Sequence, residues 1–179
     1  MSLKDRVRVM RIENASDREY GLSVLRATYT EEKHWTGDAE SQLPEQDIGR
    51  EDVSWFLVSV DEKPVGVLLV LYDPPLELYA GYGFELLQEG IDVETYVRDH
   101  KIAEIGRFAV LPEYRRYMMV VAALMRAAAT ETVSRGYTHY ITDVFEDDPH
   151  SPYQFHTNVM GFQPRSEERR VGKECIVKC

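Results

Sequence analysis

An α/β domain, with a mixed central sheet flanked by helices in the order β-α-β-β-β-α-β-α-β, is predicted by three observations. The stretch from Lys101 to Val121 reads as a buried strand, a tight turn and the start of a helix. Two apolar runs, Val53 to Val60 and Val65 to Tyr72, are separated only by Asp61-Glu62-Lys63-Pro64, the spacing of an antiparallel hairpin. On either side of these, strand-like and helix-like segments alternate, as in a mixed α/β architecture.

The elements follow in chain order. Val7 to Ile12 alternates apolar and basic residues, as a half-exposed strand does. Asn14 to Asp17 supplies helix-capping residues, and Ser16 with Glu19 makes a capping box. The helix is expected to run to about Glu32, with Tyr20, Val24, Ala27 or Thr28, and Glu31 along one side. Trp35 to Gly49 is polar and reads as a loop with short helical turns. After the hairpin, Pro74-Pro75 marks a stop. Leu76 to His100 is rich in Tyr, Gly and Leu, with a helix expected near Asp92 to Arg98; it is either a lid over a cleft or a loop packed on the core.

Ile102 to Leu111 is apolar apart from Glu104, Gly106 and Arg107, which suits a strand covered on both faces. From Val121 onward, Leu124, Met125, Ala128, Thr132 and Val133 recur at helical spacing, and Arg135-Gly136 closes that helix. Tyr137 to Phe145 is a further strand, Glu146 to Pro149 an acidic turn, and His150 to Met160 a short helix ending at Gly161. A last strand opens at Phe162-Gln163.

A chain of 179 residues supports one domain with a sizeable core. The net charge of −10 argues against a general nucleic-acid or anionic-membrane binder. No apolar run reaches the roughly 18 residues of a spanning helix, and the N-terminus lacks the apolar core of a signal peptide, so a cytoplasmic protein is expected. Asp147-Asp148 with His150 has no second ligand cluster to make a metal site, and no metal is expected. The two cysteines, Cys175 and Cys179, form no framework. Arg165 to Cys175, RSEERRVGKEC, resembles the translation of a sequencing-library adapter. On that reading residues 1–164 are the domain and 165–179 a non-native tail; the alternative is a genuine polar strand and tail.

A strand that feeds a helix through a basic turn places backbone N–H groups and cations at the helix N-terminus, which suits an anion. Arg115 and Arg116 are the cations there, as a phosphate clamp or as a solvated basic turn. Glu104 is a carboxylate in a strand otherwise built for burial: either a general base, or a strand-end carboxylate paired with a cation. Arg107 falls on the opposite face by strand alternation and is read as structural, pairing with an acid such as Asp52.

This order, together with EIGRFAVLPEYRR (Glu104 to Arg116), the Val53 to Val70 hairpin and HTNVMGFQ (His156 to Gln163), resembles the GNAT acyltransferase superfamily over roughly Val7 to Gln163. The resemblance implies an N-acyltransferase that takes acetyl-CoA or acyl-CoA as co-substrate, without a metal, and a small-molecule amine as acceptor. It implies that the backbone of Phe108, Ala109, Val110 and Leu111 binds the donor arm. The pyrophosphate would sit on the turn of Arg115, Arg116, Tyr117, Met118, Met119 and Val120. Tyr153 or His156 would serve the leaving thiolate. The family's phosphate turn carries Arg/Gln-x-x-Gly-x-Gly/Ala, whereas Met118 and Val120 stand at the glycine positions here. A second resemblance, to N-acyl amino acid synthases and acyl-homoserine-lactone synthases, fits that departure. It rests on Glu104-Ile-Gly-Arg107-Phe108-Ala-Val110, on Arg26-Ala-Thr-Tyr29-Thr-Glu-Glu32, and on Asp52-x-Ser54-x-Phe56. It implies acyl carrier protein as donor and partner, docking on Arg115 and Arg116. A GNAT-fold binding module without catalysis is the alternative of another class.

Overall fold

The computed structural model describes residues 6–74, 84–86, 99–144, 151–168 and 173–178. The expected helix at 92–98 and the acidic turn at 146–149 lie outside them, as does the expected lid segment except at 84–86 and 99–100. The chain forms two compact units, Met1–Leu71 with Gly106–Glu131, and Tyr72–Ile105 with Thr132–Cys179. One strand, β5 (Ile102–Val110), passes covalently from the second unit into the first.

In the first unit, β1 (Val7–Arg11) pairs antiparallel with β2 (Val53–Val60), from Val7↔Val60 to Arg11↔Phe56. β2 pairs antiparallel with β3 (Lys63–Tyr72). The hairpin turn is tighter than the four residues expected. Only Asp61 and Glu62 form it, at φ 50° and 65°, the positive values that a two-residue turn demands. Lys63 and Pro64 join the strand, and the register shifts opposite Pro64, between Val58 and Ser59. A bulge is where a residue without an N–H fits a sheet.

Helix α1 (Ala15–Leu25) is capped by Asn14, whose side-chain oxygen accepts from the Asp17 N–H at 2.9 Å while its amide donates to the Asp17 carboxylate at 2.7 Å. The cap therefore lies two residues before the Ser16–Glu19 box expected. The buried face also differs from the expected one. Gly21, Leu22, Val24, Leu25, Thr28 and Tyr29 are buried, whereas Tyr20 is 50% exposed. Gly21 explains the rotation: a Cβ there would lie 2.8 Å from both Ile12 and Leu43, so the backbone itself packs against those side chains. From Arg26 to Glu32 the helix continues as a π-helix, with the Lys33 N–H reaching the Thr28 carbonyl at 3.0 Å.

Helix α2 (Met118–Ser134) begins three residues before Val121, where the apolar spacing suggested. Val120, Leu124, Ala128 and Thr132 are fully buried, but Val133, expected in the same stripe, is 58% exposed. Ser54 ties the hairpin to this helix by donating to Glu131 at 2.6 Å.

In the second unit, β5 pairs in parallel with β6 (His139–Val144), over Ile102↔His139, Ala103↔Tyr140 and Glu104↔Ile141. This parallel pair among antiparallel neighbours makes the sheet mixed. Two further strands extend the expected order: a short β4 (Phe84–Leu86), and β8 (Lys173–Lys178) after β7 (Gln163–Glu168). The strand order in this unit is β5-β6-β8-β7-β4. The stretch read as a non-native tail, 165–179, thus supplies β8 and most of β7. Helix α2 ends on Gly136 at φ 80°, with Gly136 N–H to Val133 O at 2.9 Å and Tyr137 N–H to Thr132 O at 3.1 Å. Helix α3 covers Tyr153–Asn158, inside the longer helix expected, and Gly161 follows at φ 74°.

Candidate active site

The strand that organises the candidate site is irregular at its centre. Arg107 has φ 45°, and its side chain is exposed. A left-handed residue inside a strand marks a bulge and breaks the period of two. Counting faces from Glu104 to Arg107 by simple alternation therefore does not hold. The Asp52 partner expected for Arg107 is also taken: Asp52 accepts two bonds from Arg50, at 3.0 and 2.6 Å.

Beyond the bulge, the backbone of β5 has two distinct edges. The Leu111 N–H donates to the Val65 carbonyl at 2.9 Å, and the Ala109 carbonyl lies 3.1 Å from the Cβ that Gly66 lacks. Residues 109 and 111 are thus turned toward β3. Peptide groups alternate along a strand, so those of Phe108 and Val110 face the other edge. Of the four residues expected to hold a donor arm, only these two present their backbone there; Ala109 and Leu111 do not. Two side chains of the first unit reach the same edge: the Tyr29 hydroxyl donates to Phe108 O at 3.5 Å, and Arg115 Nε donates to Val110 O at 2.9 Å. In the second unit the ladder to β6 ends at Glu104, and the Thr142 hydroxyl donates to Ile105 O at 2.8 Å just past that end.

The basic turn is a 3-10 turn, Pro112–Tyr114, running into α2. Its own hydrogen bonds consume the N–H groups of Tyr114, Arg115, Tyr117 and Val120. Those of Arg116, Met118 and Met119 stand outside these bonds, at the helix N-terminus. The two arginines differ. Arg115 forks onto Glu32, with Nη1 at 2.6 Å from Oε1 and Nη2 on Oε2, while its Nε holds Val110. All three of its nitrogens are therefore engaged, which argues against the clamp role expected of it. Arg116 instead lies 4.9 Å over the Tyr117 ring and donates to the Tyr117 hydroxyl at 2.9 Å. Met118 and Met119 are 49% and 40% exposed, but Val120 is fully buried. Of the two side chains at the family's glycine positions, Val120 thus belongs to the core and Met118 is the exposed one.

In the second unit, Glu104 is half-buried on β5, opposite Ile141. Tyr153 opens α3, half-buried, with its N–H on Ser151 Oγ at 3.2 Å and its carbonyl accepting from Thr157 at 2.9 Å. His156 is 1% exposed and packs edge-on against Phe155 and Phe162, with ring centroids 5.7 and 5.1 Å away. Burial pushes its pKa down to about 4, so the ring is neutral near pH 7. A neutral imidazole is not the proton donor that a leaving thiolate needs. Among the described residues, no group of three or more His, Cys, Asp or Glu is placed to hold a metal, and no helix is long and apolar enough to cross a membrane.

Sequence reasoning assigned no roles to Tyr29 and Glu32, although both lie in the Arg26 to Glu32 segment that carried part of the second resemblance. The π-helix that turns them toward β5 leaves no mark in the apolar spacing.

The chain matches the acetyltransferase (GNAT) family over residues 10–162, and it belongs to that family. Solved structures share the fold. An N-acyl amino acid synthase from uncultured soil microbes, FeeM, is 13% identical at a TM-score of 0.70, covering 97% of this chain and 91% of its own. The PaiA N-acetyltransferase of Thermoplasma acidophilum, in complex with coenzyme A, is 15% identical at 0.67, with both chains covered in full. An aminoglycoside 6′-acetyltransferase of type Ii is 16% identical at 0.64, covering 96% of each chain. No curated protein matches the chain in sequence.

Proposed function

We propose that this GNAT protein transfers an acyl group from a thioester donor, acetyl-CoA or a longer acyl-CoA, to a small amine. The observation that carries this reading is the edge of β5 opposite β3. There the peptide groups of Phe108 and Val110 run directly into a turn that has the Arg116 cation and three N–H groups outside its own hydrogen bonds to the described residues. A pantetheine arm pairs with such an edge as an added strand does, and a phosphate suits the N–H groups of Arg116, Met118 and Met119.

Glu104 is the general base. It takes a proton from the acceptor ammonium, directly or through water, and the freed amine attacks the thioester carbon. The new C–N bond forms and the C–S bond breaks; the Tyr153 hydroxyl protonates the departing thiolate and regains a proton, through water, from the second N–H that the acylated nitrogen loses, while Glu104 releases its proton to solvent. His156, buried and neutral, holds α3 so that Tyr153 is fixed. The domain in this reading is residues 1–164 of a cytoplasmic protein, with 165–179 as a non-native tail.

One observation favours a second donor. With Arg115 held by Glu32, Arg116 is the arginine left for phosphate. Coenzyme A brings a pyrophosphate and a 3′-phosphate, whereas the arm of acyl carrier protein brings one phosphodiester. The test is calorimetry with coenzyme A, acetyl-CoA, a long-chain acyl-CoA and an acylated carrier protein. Arg116→Gln is expected to weaken coenzyme A binding about 10-fold or more, the worth of one charge-assisted bond. Binding of the carrier protein alone selects the second donor, and binding of none sinks the transferase reading in favour of a non-catalytic module.

A further inference from the structure

We propose that the π-helical turn Arg26–Glu32 positions the donor-binding end of β5, with Glu32 acting through Arg115 on the Val110 carbonyl and Tyr29 acting directly on the Phe108 carbonyl. The inference rests on the reading that this edge receives the donor arm. It assigns Glu32 and Arg115 a positioning role that is distinct from phosphate binding.

Tyr29 and Glu32 are three residues apart, so they are neighbours on the helix surface. Their targets on β5 are two residues apart, and carbonyls two apart point to the same edge. One stretch of helix therefore engages the two peptide groups that the donor arm would use. The Tyr29 hydroxyl meets Phe108 O at 3.5 Å. The Glu32 carboxylate binds both terminal nitrogens of Arg115, which leaves Nε aimed at Val110 O at 2.9 Å. A bidentate pair fixes the plane of a guanidinium, so Glu32 sets where Nε points. A carbonyl oxygen has two lone pairs, so one such bond does not by itself exclude a second.

The region has reason to need such support. The bulge at Arg107 interrupts β5 immediately before Phe108, and the ladder to β6 has already ended at Glu104. On the other edge, the Leu111 N–H bond to Val65 secures the strand to β3. The π-helix supplies the side-chain bonds on the opposite edge. Its wide turn is the departure from α-geometry that brings this about, and Trp35, edge-on to Tyr29 at 5.2 Å, braces the phenol.

The experiment separates positioning from phosphate binding by using donors with and without phosphate. Binding of coenzyme A and of pantetheine, which carries no phosphate, is followed by NMR titration in wild type, Glu32→Gln, Arg115→Gln and Arg116→Gln. In the same proteins, hydrogen exchange is followed at the amides of 108–111. Glu32→Gln and Arg115→Gln are expected to weaken both ligands by the same factor and to speed exchange at 108–111 about 10-fold, with the Val53–Val60 strand unchanged. Arg116→Gln is expected to weaken coenzyme A only. The charge-swapped pair Glu32→Arg with Arg115→Glu keeps an ion pair but has no side-chain N–H at 115 for the Val110 carbonyl, so exchange is expected to stay fast, and recovery to the wild-type rate overturns the role given to Nε.

Loss of coenzyme A but not pantetheine in Arg115→Gln makes Arg115 a phosphate ligand and overturns the proposal. Unchanged exchange at 108–111 in Glu32→Gln overturns it as well. If wild type binds neither ligand, the donor reading has failed, and the exchange arm alone decides whether the π-helix holds the strand. If the swapped pair does not fold, Glu32→Gln still decides it.

Discussion

The turn after β5 and the helix Tyr153–Asn158 both carry residues that the family resemblance marks for chemistry, and they are built in opposite ways. The turn is exposed and polar, with N–H groups and a cation facing outward. The helix is anchored by a fully buried imidazole between two phenylalanines. The difference teaches that a histidine in the segment His156 to Gln163, which carries the family resemblance, is not thereby an acid. Burial has drawn His156 into the core and lowered its proton affinity, whereas Tyr153, one turn earlier, remains half-buried at the helix start.

The largest effect expected is at Glu104. Glu104→Gln keeps the shape of the side chain and removes the proposed base, and should lower kcat about 100- to 10,000-fold, the usual worth of general-base catalysis. Donor binding should be unchanged, because the phosphate turn and the strand edge are intact. A kcat within a factor of a few of wild type would leave Glu104 as a strand-end carboxylate. Tyr153→Phe, compared at its optimum pH, should cost more in kcat than His156→Phe; the reverse order would return the acid role to the helix interior.

His156 sharpens the comparison through pH. Its folded pKa of about 4 lies below the ordinary 6.5, so the unfolded chain binds the additional proton between those values. The stability that its burial contributes is full above about pH 6.5. It declines as pH falls toward 4, by up to roughly 3 kcal/mol. Denaturant unfolding at pH 7.0, 6.0, 5.0 and 4.5 measures this directly. His156→Phe should flatten that part of the profile, and an unchanged slope in the variant would assign the pH dependence to other groups.

Much of the fold was legible because it is written in local pattern. The Val53 to Tyr72 hairpin, the buried strand at Ile102 and the Gly136 helix stop each follow from apolar runs and turn residues within a short window. What escaped depends on atoms distant in sequence. The face of α1 was misjudged because Gly21 packs backbone against Ile12 and Leu43, and apolar spacing does not register a glycine as a contact. The engagement of Arg115 could not be read because its partner, Glu32, lies 83 residues away. The bulge at Arg107 left no composition signal either, since arginine is not a residue that marks positive φ. That Ala109 and Leu111 turn their backbone toward β3 needs the neighbour as well: only once β3 is known to lie on one edge does the alternation of peptide groups say which residues face the other.

The two positions where the family turn carries glycine should diverge, and Met118 is expected to give the smallest effect of all. Val120 is fully buried in the core, so Val120→Gly removes its packing and adds a helix penalty, together about 2–4 kcal/mol of lost stability. Met118 is 49% exposed at the first turn of α2, where Met118→Gly should cost under about 1 kcal/mol. The substitution also removes the exposed side chain at the position where the family turn carries glycine. Met118→Gly should therefore tighten coenzyme A by a few-fold while leaving pantetheine unchanged, measured by the same titration. An equal gain for both ligands would mean that the methionine obstructs the strand edge rather than the phosphate. No gain for either would mean that the turn accepts its ligand past the side chain, and that the glycines of related turns serve backbone conformation more than access.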